Sequence, residues 1–93
     1  MSPSELEDLL RRHEAVADVA VIGVADERAG ELPRAFIVKK QQSGATEQDL
    51  IDFVRQHSAP HKHLKGGVFF IEAIPKTATG KILRRLLKDY SSV

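Results

Sequence analysis

The stretch Pro75-Lys76-Thr77-Ala78-Thr79-Gly80-Lys81-Ile82 holds the residues best suited to chemistry in this chain. Pro75 ends an extended segment. Thr77 and Thr79 carry hydroxyls that hydrogen-bond nearby backbone, and Gly80 permits an unusual backbone angle or a close approach. The pattern predicts a loop from Pro75 to Gly80 that enters a basic helix, with Lys81 projecting beside the free N–H groups of the helix start. An ammonium group and a helix N-terminus both attract anionic oxygen, so the chemistry on offer is binding or stabilising charge on a phosphate-like group. The plain alternative is a solvated lysine on a charged face, the ordinary state of this side chain. A nucleotide loop of the Walker type does not fit, because Pro75 stands where it needs glycine and Ile82 where it needs Ser or Thr.

Other titratable clusters are weaker. His57, His61 and His63 have no cysteine and no nearby paired carboxylate to complete a metal site, so no metal is expected. His57 is expected to pack on its own helix, and His61 and His63 to lie in an exposed loop. Glu5, Glu7 and Asp8 read as compensation of the dipole in a first helical turn rather than as an acid–base pair.

Net charge is +1, but it is unevenly spread. Met1 to Val54 carries six Lys/Arg against eleven Asp/Glu, and Arg55 to Val93 carries eight against two. The second half is therefore where an anionic ligand would be sought. Lys81, Arg84, Arg85 and Lys88 share one face at helical spacing, with Ile82, Leu83, Leu86, Leu87 and Tyr90 on the opposite, apolar face.

Those residues need a scaffold, and 93 residues with 42% hydrophobic and 29% charged side chains suffice for one small domain. There is no cysteine, no apolar run near the ~20 residues of a membrane span, no signal-peptide plan at the N-terminus, and no Ser-Lys-Leu at the C-terminus. Ser2-Pro3-Ser4-Glu5 reads as a helix start with a capping box, and Leu6, Leu9, Leu10 and His13 give that helix one face ending near Glu14. Val19 to Val24 is an unbroken apolar run, which predicts a strand covered on both faces. Ala35 to Val38 is a second buried strand, and the short connection favours antiparallel pairing. Thr46 with Asp49 resembles a helix cap, followed by Leu50, Phe53, Val54 and His57 at helical spacing and Pro60 as a stop. Gly66-Gly67 marks a turn before a third strand, Val68 to Ile71. The predicted fold is α+β, a three-stranded sheet flanked by helices in the order α-β-β-α-β-α.

Taken together, these segments resemble the C-terminal domain of the adenylate-forming superfamily, in particular its acyl-CoA synthetase, 4-coumarate:CoA ligase and luciferase branch. Pro75 to Ile82 is similar to that family's last core motif. Ser2-Pro3-Ser4-Glu5-Leu6-Glu7 is similar to the stretch after its interdomain hinge. Val19 to Val24 through Asp26, then Gly30 to Phe36, is similar to its strand pair, and His61-Lys62-His63-Leu64-Lys65-Gly66-Gly67-Val68 to the coumarate-ligase and luciferase branch. The motifs cover nearly the whole chain in the family's order.

The resemblance implies a ligase that activates a carboxylate with ATP and Mg, releases pyrophosphate, and passes the acyl group to CoA. The small domain turns against a large N-terminal adenylation domain between the two steps. Lys81 takes the position of the catalytic lysine, within a loop of Pro75, Lys76, Thr77, Thr79 and Gly80. Arg55, Lys62, Lys65, Arg84 and Arg85 are candidate contacts for CoA phosphates. The large domain is expected to be missing from this chain, and the domain alone is expected to bind no cofactor and to be inactive. The intact enzyme is expected inside the cell, first in the cytoplasm, otherwise in peroxisome or mitochondrion. The rival readings are a luciferase-like adenylating oxygenase and a basic RNA- or protein-binding module. Phe53, Phe69 and Phe70 speak against the module, because they fall in apolar runs that predict core rather than a base-stacking platform, and no nucleic acid is expected.

Overall fold

The computed structural model describes residues 3–28, 30–41, 43–57, 64 and 66–91. Its elements run α1 (Pro3–Arg11), β1 (Val16–Asp26), β2 (Gly30–Lys39), α2 (Glu47–His57), β3 (Val68–Phe70) and α3 (Arg84–Ser91). The class and the order of elements are those the sequence predicts. The strands form one mixed sheet in the order β1-β2-β3, with β1 antiparallel and β3 parallel to β2.

The unbroken apolar run of β1 has the expected cause. Val19 and Val21 enter one core with Leu6, Leu10, Leu50 and Val54, whereas Ala20 and Ile22 enter a second with Phe36, Ile74 and Leu87. Alternate side chains of a strand point to opposite faces, so both faces of β1 are covered. The first core lies under α1 and α2, and the second lies under α3 and the segment leading to it. An irregularity between Val16 and Asp18 shifts the register. It returns Val16 to the first core while Asp18 keeps the parity of Ala20 and Ile22.

Both strands of the β1–β2 hairpin run beyond their apolar runs, pairing Ala25 with Glu31 and Asp26 with Gly30. Val24 still packs against the second core, but the paired residues after it are small, polar or charged, so apolar patterning did not reveal them. α1 ends at Arg11 rather than near Glu14, because the Arg12 and His13 N–H groups close tight turns onto Leu9 and Leu10. The His13 ring then meets Phe53 edge-on at 5.0 Å and joins α1 to α2. The expected Ser2 cap and Pro60 stop lie outside the described residues. At α2 the expected cap is reciprocal: the Asp49 N–H donates to Thr46 Oγ1 at 3.2 Å, and the Thr46 N–H donates to Asp49 Oδ2 at 2.9 Å.

The turn into β3 is set by backbone contact. Gly66 N–H donates to the Pro33 carbonyl at 2.8 Å, and Arg34 Nε donates back to the Gly66 carbonyl at 2.6 Å. A Cβ on Gly66 would lie 2.7 Å from the Pro33 oxygen, so only glycine fits. Gly66→Ala is expected to destabilise the domain by about 1–3 kcal/mol, a drop in Tm of at least about 4 °C. Gly44→Ala, where an added Cβ meets nothing within 4 Å, should leave Tm close to that of the parent chain. Thermal denaturation of the two variants checks both.

Candidate functional site

Lys81 does not stand at a helix start. Residues 76–82 form a tight hairpin, and α3 begins only at Arg84. Lys76 and Ile82 pair as an antiparallel bridge, and the Thr77 N–H donates to the Lys81 carbonyl at 2.9 Å. The Gly80 N–H closes the turn onto the Thr77 carbonyl at 2.9 Å, with Gly80 at a φ of 90°. The Thr77 hydroxyl accepts the Lys81 N–H at 3.1 Å and lies 2.9 Å from the Thr79 hydroxyl. The Leu83 N–H donates to the Pro75 carbonyl, which keeps residues 81–83 extended. These bonds explain why the helix starts late. Two threonines and a left-handed glycine stabilise a turn at the point where side-chain spacing alone suggests helix.

Both ends of the hairpin are anchored. Ile74 and Ile82 pack in the second core, on either side of the exposed stretch 76–81. Lys76 Nζ reaches Asp18 Oδ2 of β1 at 2.6 Å. Lys81 is exposed and makes no ion pair among the described residues. The loop thus carries one ammonium group committed to the scaffold and one offered outward.

Arg84 departs from the solvated face expected of it. Its Nη2 pairs with Glu7 Oε2 at 2.7 Å and its Nε donates to the Val21 carbonyl at 3.2 Å. It is thereby withdrawn from the freely presented cations. Arg85 is exposed at the start of α3, whereas Arg55 is exposed in the last turn of α2, on the other side of the sheet. Among the described residues, the basic side chains of the second half therefore do not form a single patch. Lys62, Lys65, His61 and His63 lie outside the described residues. Leu86, placed by spacing on the apolar face of α3, is 42% exposed, and Phe69 is 44% exposed at the edge of the sheet with the Arg34 guanidinium 4.9 Å from its ring centroid. Phe53 and Phe70 do pack against the first core.

Two acidic residues matter more than the sequence suggested. Glu7 is only 4% exposed, so it is no simple partner of a helix dipole. Its position three residues before the buried Leu10 sets it at the rim of the apolar face, and that spacing is the one signal that could have marked it. Asp18 gave no comparable signal, since its partner is 58 residues away. His57 packs on its own helix, with Nδ1 donating to the Phe53 carbonyl at 2.8 Å and its ring 4.4 Å from that of Phe53. No group of three potential metal ligands stands together among the described residues.

A mixed three-stranded sheet between helical layers, with a lysine hairpin leading into the last helix, is the architecture of a known class of small domain. The chain belongs to the AMP-binding enzyme C-terminal domain family, whose family model matches residues 5–81. It is 50% identical over 91 residues to "Probable 4-coumarate--CoA ligase 3" of Dictyostelium discoideum, a match that covers 98% of this chain and 16% of that protein. Its fold superimposes on a fatty acyl CoA synthetase of Mycobacterium tuberculosis with a TM-score of 0.86 at 38% identity, covering 97% of this chain and 18% of that one. A benzoate CoA ligase of Burkholderia xenovorans LB400 gives a TM-score of 0.82 at 40% identity, covering 94% of this chain and 18% of that one. The chain thus spans about one-sixth of the length of these relatives.

The hairpin geometry is testable without any assay of activity. Thr77→Val removes the hydroxyl that accepts the Lys81 N–H and should speed exchange of that amide with solvent by about 2- to 10-fold, the worth of one ordinary hydrogen bond. Amides of the β1–β2 ladder should keep their protection. Hydrogen exchange followed by NMR reads both.

Proposed function

We propose that this chain acts as the mobile C-terminal domain of an ATP-dependent, AMP-forming acid:CoA ligase, and that Lys81 supplies the cation for adenylation. The observation that carries the reading is the Lys81 ammonium, exposed and without an ion pair among the described residues, on a hairpin fixed at both ends and at the last residue of the family match. The names of the relatives, CoA ligases and acyl-CoA synthetases, support the same reaction class.

In the proposed first step a substrate carboxylate oxygen bonds to the α-phosphorus of Mg–ATP, and the bond to pyrophosphate breaks. Negative charge gathers on the phosphoryl oxygens and on the attacking carboxylate, so the protein's task is to hold the reactants in line and oppose that charge. A lysine suits this because it is a compact charge on a long stem. In the second step the CoA thiol attacks the acyl carbonyl and AMP departs. The large N-terminal domain of the same polypeptide would hold the nucleotide and the acid, and the small domain would turn between the steps. Arg85 is the better-placed described contact for a CoA phosphate, since it lies on the hairpin's side of the sheet and is exposed. Arg55 would serve only a ligand that reaches the α2 side.

The RNA- or protein-binding reading loses its main support, because Lys76 and Arg84 spend charge on internal carboxylates. No feature of the described residues favours a luciferase-like oxygenase over a CoA ligase.

In a complete ligase carrying this domain, Lys81→Ala should slow adenylation by about 10²- to 10³-fold, the usual consequence of deleting one stabilising donor. Thioester formation from preformed acyl-adenylate should remain close to that of the parent enzyme. Pyrophosphate release and CoA consumption, assayed separately, distinguish the two. Equal losses in both would remove the assignment.

A further inference from the structure

Glu7 has no place in the chemistry above, yet it is the one buried acid among the described residues and it touches the element that follows Lys81. A single oxygen, Oε2, accepts the Val21 N–H at 2.8 Å and the Arg84 Nη2 at 2.7 Å, while Arg84 Nε donates to the Val21 carbonyl at 3.2 Å. Val21 lies on β1, the edge strand of the sheet. Both of its outward backbone groups are therefore taken by the same acid–guanidinium pair. The result is a closed ring through α1, the edge of β1 and the first residue of α3.

From these contacts we propose that Glu7 is a positioning residue for Lys81, acting through Arg84. The hairpin tip stands clear of the domain: its residues are exposed, and an added Cβ on Gly80 would meet nothing within 4 Å. The place of the tip is therefore decided at its two ends. The incoming arm is fixed by Ile74 and by Lys76 on Asp18. The outgoing arm is fixed by Ile82 in the second core and by Arg84 at the sheet edge, three residues after Lys81. If Glu7 releases Arg84, one of those fixings is lost and the ammonium can drift, and a misplacement of about 1 Å can cost about 10²-fold in rate.

The inference rests on the reading of Lys81 as the adenylation cation, and its test keeps the two apart. Glu7→Gln retains an oxygen for the Val21 N–H but gives up the charge that holds Arg84. In the complete ligase it should lower kcat for adenylation by about tenfold or more, with KM for ATP and acid changed by less than about twofold. Thioester formation from preformed acyl-adenylate should stay within about twofold, because that step does not use Lys81. Arg84→Gln, at a half-exposed site that tolerates change more readily, should give the same selective loss. The double variant should be no slower than either single one, as expected of two residues that act as one unit. Equal losses in both half-reactions, or unchanged adenylation in Glu7→Gln and Arg84→Gln, would overturn the proposal. Lys81→Ala serves as the control: selective loss there with none at Glu7 sinks only the positioning role, whereas full adenylation by Lys81→Ala sinks the functional reading and this inference together.

Discussion

A carboxylate cut off from water at the edge of a sheet sets the terms for much of this domain. Glu7 is buried by its own helix and by β1. A charge in such a place is tolerated only if it receives strong, well-directed hydrogen bonds. It receives them from Val21 and Arg84, and no buried side-chain oxygen or nitrogen lacks a partner among the described residues. The need is mutual. An edge strand with bare N–H and C=O groups invites pairing with another chain, and at Val21 both are already occupied. Helices α1 and α3 cover opposite faces of the sheet, so a side-chain link between them must pass around its edge. Glu7 and Arg84 make that link and thereby join two otherwise separate half-cores.

The same logic of faces governs the sheet. Because β1 feeds two cores, each of its residues from Val19 to Ile22 is committed to one side or the other. The irregularity between Val16 and Asp18 allows one strand to obey both demands. Val16 can still pack under α1, while Asp18 faces the layer that contains the hairpin. Without the extra residue, Val16 would share the parity of Ala20 and leave the first core. The Asp18 carboxylate meets Lys76 by plain alternation with Ala20 and Ile22, and the register shift spares Val16 from following it to that face.

Legibility in the sequence followed the range of the interactions. Helices, strands and their order could be read because apolar periodicity and caps such as Thr46 with Asp49 are local. The motif around Lys81 could be read as a loop for the same reason. What escaped was long-range. The acidic excess before Arg55 and the basic excess after it suggest a binding surface, yet part of each is internal pairing. Lys76 meets Asp18 and Arg84 meets Glu7, across 58 and 77 residues. No window of sequence joins such partners. The start of α3 was placed too early because Lys81 to Lys88 has helical spacing, and spacing does not register that a threonine hydroxyl and the Pro75 carbonyl compete for the first N–H groups. Phe69 has apolar neighbours in sequence and so reads as core. But β3 is three residues long and lies at the sheet edge, where one side chain of the three is left half in water.

The hairpin also explains how two lysines in one loop come to different ends. Cross-strand partners in an antiparallel bridge share a face, and their neighbours point the opposite way. Lys76 is paired with Ile82, and Ile82 packs into the second core, so Lys76 is turned toward the domain and finds Asp18. Thr77 and Lys81 are the next pair out, so Lys81 is turned away from the domain. A slip of one residue in this register would put the Lys76 and Lys81 side chains on the same face, so that the two would no longer be separated. What prevents the slip is the turn itself, through the left-handed Gly80 and the Thr77 hydroxyl on the Lys81 N–H. The glycine and threonines of the loop need touch no substrate to matter: they keep two chemically identical ammonium groups on opposite faces, one paired with Asp18 and one turned outward.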